Sequence, residues 1–370
     1  MKPINPPIFR SRITRILVVI LVVVLGWIII RSLIKVGAFP TIGATPSPKA
    51  NPVSGNPLQV YFMQAPGQGC VPGEQPVIEA VLRDLTAAQS QVHLAMYSFT
   101  INEISEALAQ AKERGVRVEL VMESDNMDSS AVKQMTKDGI PIHGDKVDSL
   151  MHDKFLVIDE HIVWTGSMNM TYTSLCEDLN NAVRIEDPSL ATKYEEEFDE
   201  MFIQGLFSRQ SLEDPGVMPA VIDSRSLGVY FSPEDHVQQQ ILDMIGIAQS
   251  SIEFLGYSFT ADPLAEALIE KSQQGVEVRG VMDAVSAASN IGTEYDRFRQ
   301  AGLDVHLAST VGAMHHKVII IDGQMVMLGS YNFTRSAEEN NDENFLIIHD
   351  PDMAIAFQAE FERILATAKP

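Results

Sequence analysis

The sequence is poor in the features that define several large protein classes. It holds two cysteines, Cys70 and Cys176, in 370 residues, too few for a disulfide-dense scaffold. One stretch alone is continuously apolar, which excludes a multi-span transporter. With 45% hydrophobic and 21% charged residues, the chain is also unlike a disordered protein. These absences favour a globular protein of one or two domains.

Positive charge is scarce as well. There are 27 lysines and arginines against 49 aspartates and glutamates, for a net charge of −22. Residues 1–35 hold six of the cations and no acid, which leaves 21 basic and 49 acidic residues, or −28, for the remainder. A body this acidic repels polyanions at long range. Sequence-independent coating of DNA is therefore disfavoured, although a local basic pocket is compatible with the composition.

The apolar stretch lies close to the N-terminus. Residues 16–30 read ILVVILVVVLGWIII, and extending them to residue 34 gives a helix of about 28 Å, against a hydrocarbon core of roughly 30 Å. Four cations precede the stretch and two follow it, which predicts a cytoplasmic N-terminus and an extracytoplasmic body. A cleaved signal peptide and a buried helix are the alternatives. Because no small-x-small site follows Ile30, we expect an uncleaved transmembrane anchor.

The remaining chain divides by composition. Five prolines and two glycines in residues 38–57 predict an extended tether. In an extracytoplasmic body Cys70 and Cys176 could pair, and two separate thiols are the alternative. The expected organisation is a basic cytoplasmic tail, the anchor, a Pro-rich linker and two repeats, at residues 1–15, 16–34, 35–57, 58–215 and 216–370.

The body repeats itself. QVHLAMYSFT, ending at Thr100, returns as SIEFLGYSFT, ending at Thr260, and residues 151–171 return as 314–334. Each copy alternates strand-like and helix-like segments, which predicts an α/β fold. We expect two tandem α/β sandwich repeats about a pseudo-twofold axis, so that equivalent residues meet at the junction.

The best repeated segment carries the polar residues. Both copies obey H-x-K-x4-D-x6-G-S-x-N, with His152, Lys154, Asp159, Gly166, Ser167 and Asn169 in the first copy and His315, Lys317, Asp322, Gly329, Ser330 and Asn332 in the second. On a strand, His and Lys of H-x-K point to one face. Two such sets suit a phosphodiester, since the lysines and asparagines neutralise its oxygens. One histidine can attack phosphorus while the other protonates the leaving oxygen and then activates water or an alcohol. No metal or other cofactor is required, and His315-His316 lacks a third ligand at useful spacing.

This paired motif resembles that of the phospholipase D superfamily, and the resemblance covers residues 58–370. The compact two-copy body is similar to the small bacterial, nuclease-like and cardiolipin hydrolase-like branch. The resemblance implies that His152 and His315 are the nucleophile and the acid–base pair, with His152 as nucleophile. It also implies the roles of the other motif residues. Lys154, Lys317, Asn169 and Asn332 bind phosphate, Ser167 and Ser330 support the pocket, and Asp159 and Asp322 are structural members of the catalytic motif.

The sequence departs from the family pattern at one position. The nuclease-like branch has an acidic residue after GSxN that orients the motif histidine. Glu343 takes this position 28 residues after His315, but the same step from His152 reaches Asn180. An amide cannot stabilise an imidazolium as a carboxylate does, so either Glu177 or Asp178 substitutes, and the two histidines should differ in pKa.

Two further segments have structural interpretations. The acidic run at 195–200, EEEFDE, is typical of a solvated helix face. The aromatic residues of the two YSFT segments are typical of a core, although their place at strand ends allows one or two to line a pocket mouth.

Three functions fit these features. The leading one is a membrane-anchored, metal-independent phosphodiesterase that hydrolyses phospholipid head groups through a phosphohistidine; with an alcohol acceptor the same site becomes a transphosphatidylase or cardiolipin synthase-like transferase. The main alternative is a nuclease acting on single-stranded DNA or RNA, which the acidic body disfavours. The third is a membrane-tethered scaffold with an inactive site, which the intact motifs oppose. An internally duplicated chain needs no protein partner to complete its site, so a monomer suffices.

Overall fold

The computed structural model describes residues 57–212, 220–222 and 225–369. The predicted tail, the predicted anchor and nearly all of the linker lie outside these residues. Among the helices of the described part, none has the length and apolar character to cross a bilayer.

The first repeat is a seven-stranded sheet flanked by helices. Its strands follow the order β1-β7-β6-β5-β2-β3-β4, in which β2, β3 and β4 are parallel and the other pairs antiparallel. The strands are β1 Leu58–Gln64, β2 Gln91–Met96, β3 Arg117–Met122, β4 Ile142–Gly144, β5 Lys154–Ile158, β6 Ile162–Gly166 and β7 Leu179–Glu186. The helices are α1 Pro76–Ala87, α2 Asn102–Glu113, α3 Ser130–Lys137, α4 Tyr172–Cys176 and α5 Pro188–Asp199.

The second repeat copies this order and adds an edge strand. Its eight strands follow the order β12-β11-β10-β13-β14-β15-β9-β8. The strands are β8 Ala220–Ile222, β9 Arg225–Ser232, β10 Ser251–Gly256, β11 Glu277–Asp283, β12 Asp304–Ala308, β13 Lys317–Ile321, β14 Met325–Gly329 and β15 Glu343–His349. The helices are α6 Val237–Ile247, α7 Asp262–Gln273, α8 Ala284–Ser289, α9 Tyr295–Gln300, α10 Arg335–Glu339 and α11 Pro351–Leu365.

Helices α5 and α11 occupy equivalent places and begin in the same way. Each has proline at its start, preceded by a capping aspartate: the Asp187 carboxylate accepts from Leu190 N over 2.7 Å, and that of Asp350 accepts from Asp352 N over 2.8 Å. Such caps satisfy amides that the first helical turn leaves unpaired. The predicted helix from Pro188 to about Phe202 is present, with its last turn, Glu200–Gln204, in π-helical form.

The two repeats share one hydrophobic core. A cluster of buried side chains combines β5 and β13 with helices α5 and α11, and it includes Val157, Val318, Tyr194 and Phe357. Two further clusters cover the other faces of the two sheets beneath the remaining helices. The mixed α/β duplication predicted from sequence is therefore correct.

A disulfide bond joins Cys70 and Cys176, whose Cα atoms are 5.7 Å apart. The sequence left this pairing open. The bond links the segment after β1 to the end of α4, and Gly67 N also donates to Cys176 O over 2.8 Å. Because Cys176 lies four residues before Asn180, the bond supports the chain that leads into the candidate site.

Candidate active site

The motif loop of each repeat lies against the other repeat. The amide of His152 donates to the backbone oxygen of Asp342 over 2.9 Å, and the amide of His315 donates to that of Leu179 over 2.9 Å. Isolated β-bridges also join each repeat to the other, Met151 to Asp342 and Leu179 to Met314. The two motifs therefore meet at the junction, as the duplication predicted.

His152 is oriented by a carboxylate of the second repeat. Its Nδ1 lies 2.6 Å from Oε2 of Glu343, which is fully buried and whose Oε1 accepts from the amide of Asn341. A carboxylate accepts, so Nδ1 carries the proton and the Nε2 lone pair is free for chemistry. Burial, with the charges of Lys154 and Lys317, holds the pKa of His152 well below its usual range. The ring is thus neutral at pH 7, as a nucleophile requires.

His315 is oriented by an amide of the first repeat. Its Nδ1 lies 2.9 Å from Oδ1 of Asn180 and 3.1 Å from the backbone oxygen of Ser167. The Asn180 amide is held in this orientation because its Nδ2 donates to Ser174 O and its Oδ1 accepts from the Ser167 hydroxyl. Nδ1 therefore carries the proton here as well. Burial and the charges of Lys317, Lys154 and His152 lower the pKa of His315 well below its usual value.

These contacts correct two sequence-based expectations. Sequence order places Glu343 in the same copy as His315, but the carboxylate contacts His152. Neither Glu177 nor Asp178 substitutes at His315: the Asp178 carboxylate accepts from Ala313 N over 2.7 Å and the Glu177 carbonyl from Gly312 N, so both hold the loop before the histidine. One histidine therefore has a charged partner and the other a neutral one.

The motif lysines are almost completely buried, with 1% of Lys154 and 0% of Lys317 exposed. Each ammonium donates to the backbone oxygen of its own motif histidine, over 2.6 Å for Lys154 and 2.9 Å for Lys317. An ammonium has three donors, so others remain for a bound anion. Burial lowers the pKa of Lys154 to about 8, and burial with the Lys154 charge lowers the pKa of Lys317. The Glu343 carboxylate acts on both ammonium groups. Asp153 also acts on Lys154, and Asp178 and Asp283 act on Lys317, so nearby carboxylates offset part of the lysine charge.

The serines and asparagines of the motif complete the pocket. The Ser167 hydroxyl donates to Asn180, and the Ser330 hydroxyl accepts from Asn344 N over 3.0 Å. The amide oxygens of Asn169 and Asn332 are buried and have no hydrogen-bond partner among the described residues. The role of the two asparagines in phosphate binding therefore remains a prediction from the motif.

Asp159 and Asp322 lie outside the pocket. Each follows the far end of its strand and accepts backbone hydrogen bonds from the chain before the neighbouring strand, residues 89–91 and 249–251 respectively. Both residues have positive φ, 54° and 53°. Their place in the fold is the structural one that the resemblance implied, and neither meets the histidines.

Two tyrosines missed as individual site residues pack on the histidines. The rings of Tyr97 and His152 are 4.8 Å apart and those of Tyr257 and His315 4.7 Å. The lysine Nζ atoms lie 5.1 Å and 4.7 Å from the same two tyrosine rings. The His and Lys of each motif thus face the same tyrosine ring, as predicted. The histidines, however, come just before the strands, which begin at Lys154 and Lys317. Phe99 and Phe259 of the same YSFT segments are buried in the core.

The variable residue between His and Lys anchors each motif to the opposite repeat. Asp153 accepts from the amide of Asn344 over 2.7 Å, and Asn181 Nδ2 lies 2.8 Å from Nδ1 of His316. The asparagines each follow the residue that orients a histidine. In the sequence, these contacts were indicated only by the pairs NN at 180–181 and EN at 343–344. Both pairs lie outside the repeated histidine–lysine motif.

Behind Asp153 the structure contradicts the solvated face predicted for the acidic run. Glu197 and Glu200 are 7% and 8% exposed. Burial, followed by the charges of Glu234, Asp153 and Asp342, raises the pKa of Glu197 well above its usual value. Burial likewise raises the pKa of Asp153 to about 7. We call Asp153, Glu197, Glu200, Glu234 and Asp342 the carboxyl cluster.

The equivalent place in the second repeat is charge-balanced. Glu360 corresponds to Glu197, Arg363 to Glu200 and His316 to Asp153. The Arg363 guanidinium donates twice to the Glu360 carboxylate, over 2.7 Å each, and His316 Nε2 lies 3.5 Å away. Arg363 and His316 lower the pKa of Glu360 against the effect of burial. Across residues 57–212, 220–222 and 225–369, no three His, Cys, Asp or Glu side chains are placed to hold a metal ion.

Anion binding at the two lysines should depend on pH. Lysine loses its charge as pH rises through its pKa, so affinity for sulfate, a dianion throughout this range, should fall above about pH 8 by about tenfold per pH unit for one required proton. Titration calorimetry from pH 6.5 to 9.5 measures this. The Lys154→Arg variant stays charged at position 154 and should lose the part of the pH dependence that Lys154 contributes, while Lys317 still titrates. A wild-type affinity independent of pH would contradict the expectation.

Comparison with known proteins identifies the family of the chain. A family model described as "Cardiolipin synthase, PLD-like domain" matches residues 81–202 and 241–365. The chain belongs to this phospholipase D-like family, as its paired motif indicated.

Individual relatives cover less of the chain. The mitochondrial cardiolipin hydrolase of Chlamydomonas reinhardtii is 35% identical over 125 residues, which are 34% of this chain and 56% of the relative. The phospholipase D of Rickettsia typhi is 30% identical over 136 residues, 37% of this chain and 66% of the relative. The matches thus span between about half and two thirds of these curated proteins. The phosphatidylserine synthase of Haemophilus influenzae Rd KW20 shares the fold, with a TM-score of 0.63 over 84% of this chain and 86% of that one at 13% identity.

Proposed function

We propose that the protein is a phosphodiesterase that hydrolyses the head-group phosphodiester of phospholipids through a phosphohistidine, without a metal ion. The observation that carries the proposal is the pairing of two histidines, each held by a hydrogen bond at Nδ1, with two buried lysines in one pocket. Such a pocket matches the charge that builds on the phosphorane oxygens in the transition state.

The reaction follows from the hydrogen bonds. Nε2 of one histidine attacks phosphorus, and the bond from phosphorus to the head-group oxygen breaks. The other histidine gives its proton to that oxygen, so the head group leaves as an alcohol. The now neutral imidazole takes a proton from water, whose oxygen attacks phosphorus and breaks the N–P bond. The products are the alcohol and phosphatidic acid, and both histidines return to their starting states.

The unequal partners assign the two roles. A phosphohistidine with a protonated Nδ1 carries positive charge on its ring, which the Glu343 carboxylate stabilises at His152. Asn180 offers His315 a neutral oxygen, so protonated His315 is the stronger acid of the two. The negative charge of a bound diester favours protonation of His315, which the lysines oppose in the free pocket. His152 is therefore assigned as nucleophile and His315 as general acid and base.

Lipid is favoured over nucleic acid by charge and predicted location. The body carries −28, and the predicted anchor at residues 16–34 would hold it beside a bilayer. The disulfide bond fits an extracytoplasmic compartment. The names of the two curated relatives, a cardiolipin hydrolase and a phospholipase D, agree with a lipid diester as the substrate class.

The full chain should release head group from mixed phospholipid vesicles in EDTA, while a labelled single-stranded oligonucleotide in the same tube stays intact. The variant His315→Ala should lose this activity, and His161→Ala, at an exposed turn between β5 and β6, should keep it. Cleaved oligonucleotide with intact lipid would identify a nuclease instead. Transfer of the phosphatidyl group to added glycerol would identify a transferase. Absence of activity on either substrate would favour the third function, a scaffold with an inactive site.

A further inference from the structure

Two segments of the second repeat expose apolar side chains beside His315. Residues 284–293 follow β11, and residues 309–314 precede the motif. Within them Val285, Ile291 and Val311 are 73%, 99% and 81% exposed. Large apolar side chains exposed to this degree on neighbouring segments are characteristic of an interaction surface. We call these three side chains the apolar rim.

Hydrogen bonds place both segments at the mouth of the pocket. The Asp283 carboxylate, at the end of β11, accepts from Met314 N over 3.0 Å and so ties the two segments together. Asn290 Nδ2 donates to the hydroxyl of Ser258 over 2.7 Å. Ser258 follows Tyr257, the tyrosine that packs on His315. The segment that carries Val285 and Ile291 is thus bonded to the residue next to Tyr257, and Val311 precedes His315 by four residues.

The rim is uncharged in an otherwise acidic body. Neither 284–293, AVSAASNIGT, nor 309–314, STVGAM, contains a charged residue. The corresponding segments of the first repeat, 124–133 and 146–151, hold three acids and two lysines. The two segments that carry the apolar rim thus have no charged residues of their own, while the corresponding segments of the first repeat carry charges of both signs.

We propose that the apolar rim inserts into the surface of a phospholipid bilayer and turns the pocket toward it. This inference rests on the proposed lipid substrate. A diester at head-group level can reach lysines that are 0–1% exposed only if the mouth is pressed against the bilayer. Valine and isoleucine side chains gain by entering the acyl boundary, and a segment without carboxylates avoids repulsion from lipid phosphates.

Insertion can be measured with a single fluorescent label. The two native cysteines are bonded to each other, so a thiol introduced by Ile291→Cys reacts selectively with a nitrobenzoxadiazole dye. In the full chain reconstituted into phosphatidylcholine vesicles, the dye should shift to the blue and be quenched by brominated acyl chains. Ile247→Cys is the control. Ile247 is 57% exposed and ends α6, just before β10 begins, whereas Tyr257 follows the other end of that strand. Equal, water-like signals from both labels would overturn the proposal.

Hydrolysis provides the second test. The double variant Ile291→Asp with Val311→Asp should hydrolyse vesicle lipid about tenfold or more slowly, with unchanged activity on soluble bis(p-nitrophenyl) phosphate. Ile247→Asp should match the unmodified chain on both substrates. An equal loss on both substrates, or none on vesicles, would contradict the proposal. The label reports insertion whether or not the protein hydrolyses lipid. Insertion of the labelled chain, with no lipid hydrolysis by the unmodified chain, would contradict the proposed function and leave the apolar rim supported.

Discussion

Replacing His152 with alanine should abolish the covalent intermediate, whereas replacing His315 with alanine should let it accumulate. With a p-nitrophenyl diester the leaving group needs no proton, so His315→Ala can still form the N–P bond at His152. Hydrolysis of that bond then lacks a base for water, a loss of about 10²–10⁴-fold. Without His152 no nucleophile remains in the assigned position, and turnover should fall by at least as much.

The measurement is the burst of p-nitrophenol together with the mass of protein quenched at alkaline pH, where phosphohistidine persists. His315→Ala should give a burst close to one equivalent and a mass increase on the peptide with His152. His161→Ala serves as the control and should turn over normally. A burst in His152→Ala with none in His315→Ala would reverse the assignment and show that Glu343 does not select the nucleophile.

Replacing Glu197 with glutamine should stabilise the protein at pH 8, by about 1–3 kcal/mol, the usual cost of a buried polar group without a partner. Burial, followed by the charges of the other members of the carboxyl cluster, raises the pKa of Glu197. The folded state therefore holds a proton that the unfolded chain releases above its ordinary pKa near 4.5. Folding stability therefore declines as pH rises from there toward the folded-state pKa. Glutamine carries no such proton, so its advantage should shrink toward pH 5.

Glu360→Gln is the matched variant in the second repeat and should act in the opposite direction. Its carboxylate is held by Arg363, which keeps its pKa below the usual value. That stabilisation is present above the unfolded pKa and is lost as pH falls through the folded one. Urea midpoints at pH 5 and pH 8 for the two variants test both signs. Destabilisation by Glu197→Gln at pH 8 would show that groups other than bound protons balance the charge of the carboxyl cluster.

Sequence was a sufficient guide to the duplication and to the motif residues, because a repeat read against itself reveals fixed positions. It was a poor guide to pairing across the junction. Glu343 and Asn180 are equidistant in sequence from their own histidines, but the backbone bridges at Met151 and Leu179 exchange them. No local pattern encodes that exchange, which depends on how two whole repeats pack.

The burial of Glu197 could have been anticipated in part. Leu190, Tyr194 and Phe198 mark the apolar face of α5 at helical spacing, and Glu197 lies on the same face. The run 195–200 is acidic overall, and this composition alone does not reveal that Glu197 lies on the buried face. The segment predicted as an anchor, the domain boundaries and the catalytic roles remain predictions, since they concern residues or chemistry outside the described contacts.

The exchanged partners have a consequence for how such a site can diverge. In two identical subunits related by a twofold axis, any residue that orients one histidine must also orient the other. A substitution there changes both halves of the reaction at once. Here the two copies lie on one chain, so position 343 can hold an acid while position 180 holds an amide. With both copies on one chain, the partner of the nucleophile and the partner of the acid can change independently. The pKa of each histidine can then be altered by a mutation in the half of the gene that does not encode that histidine.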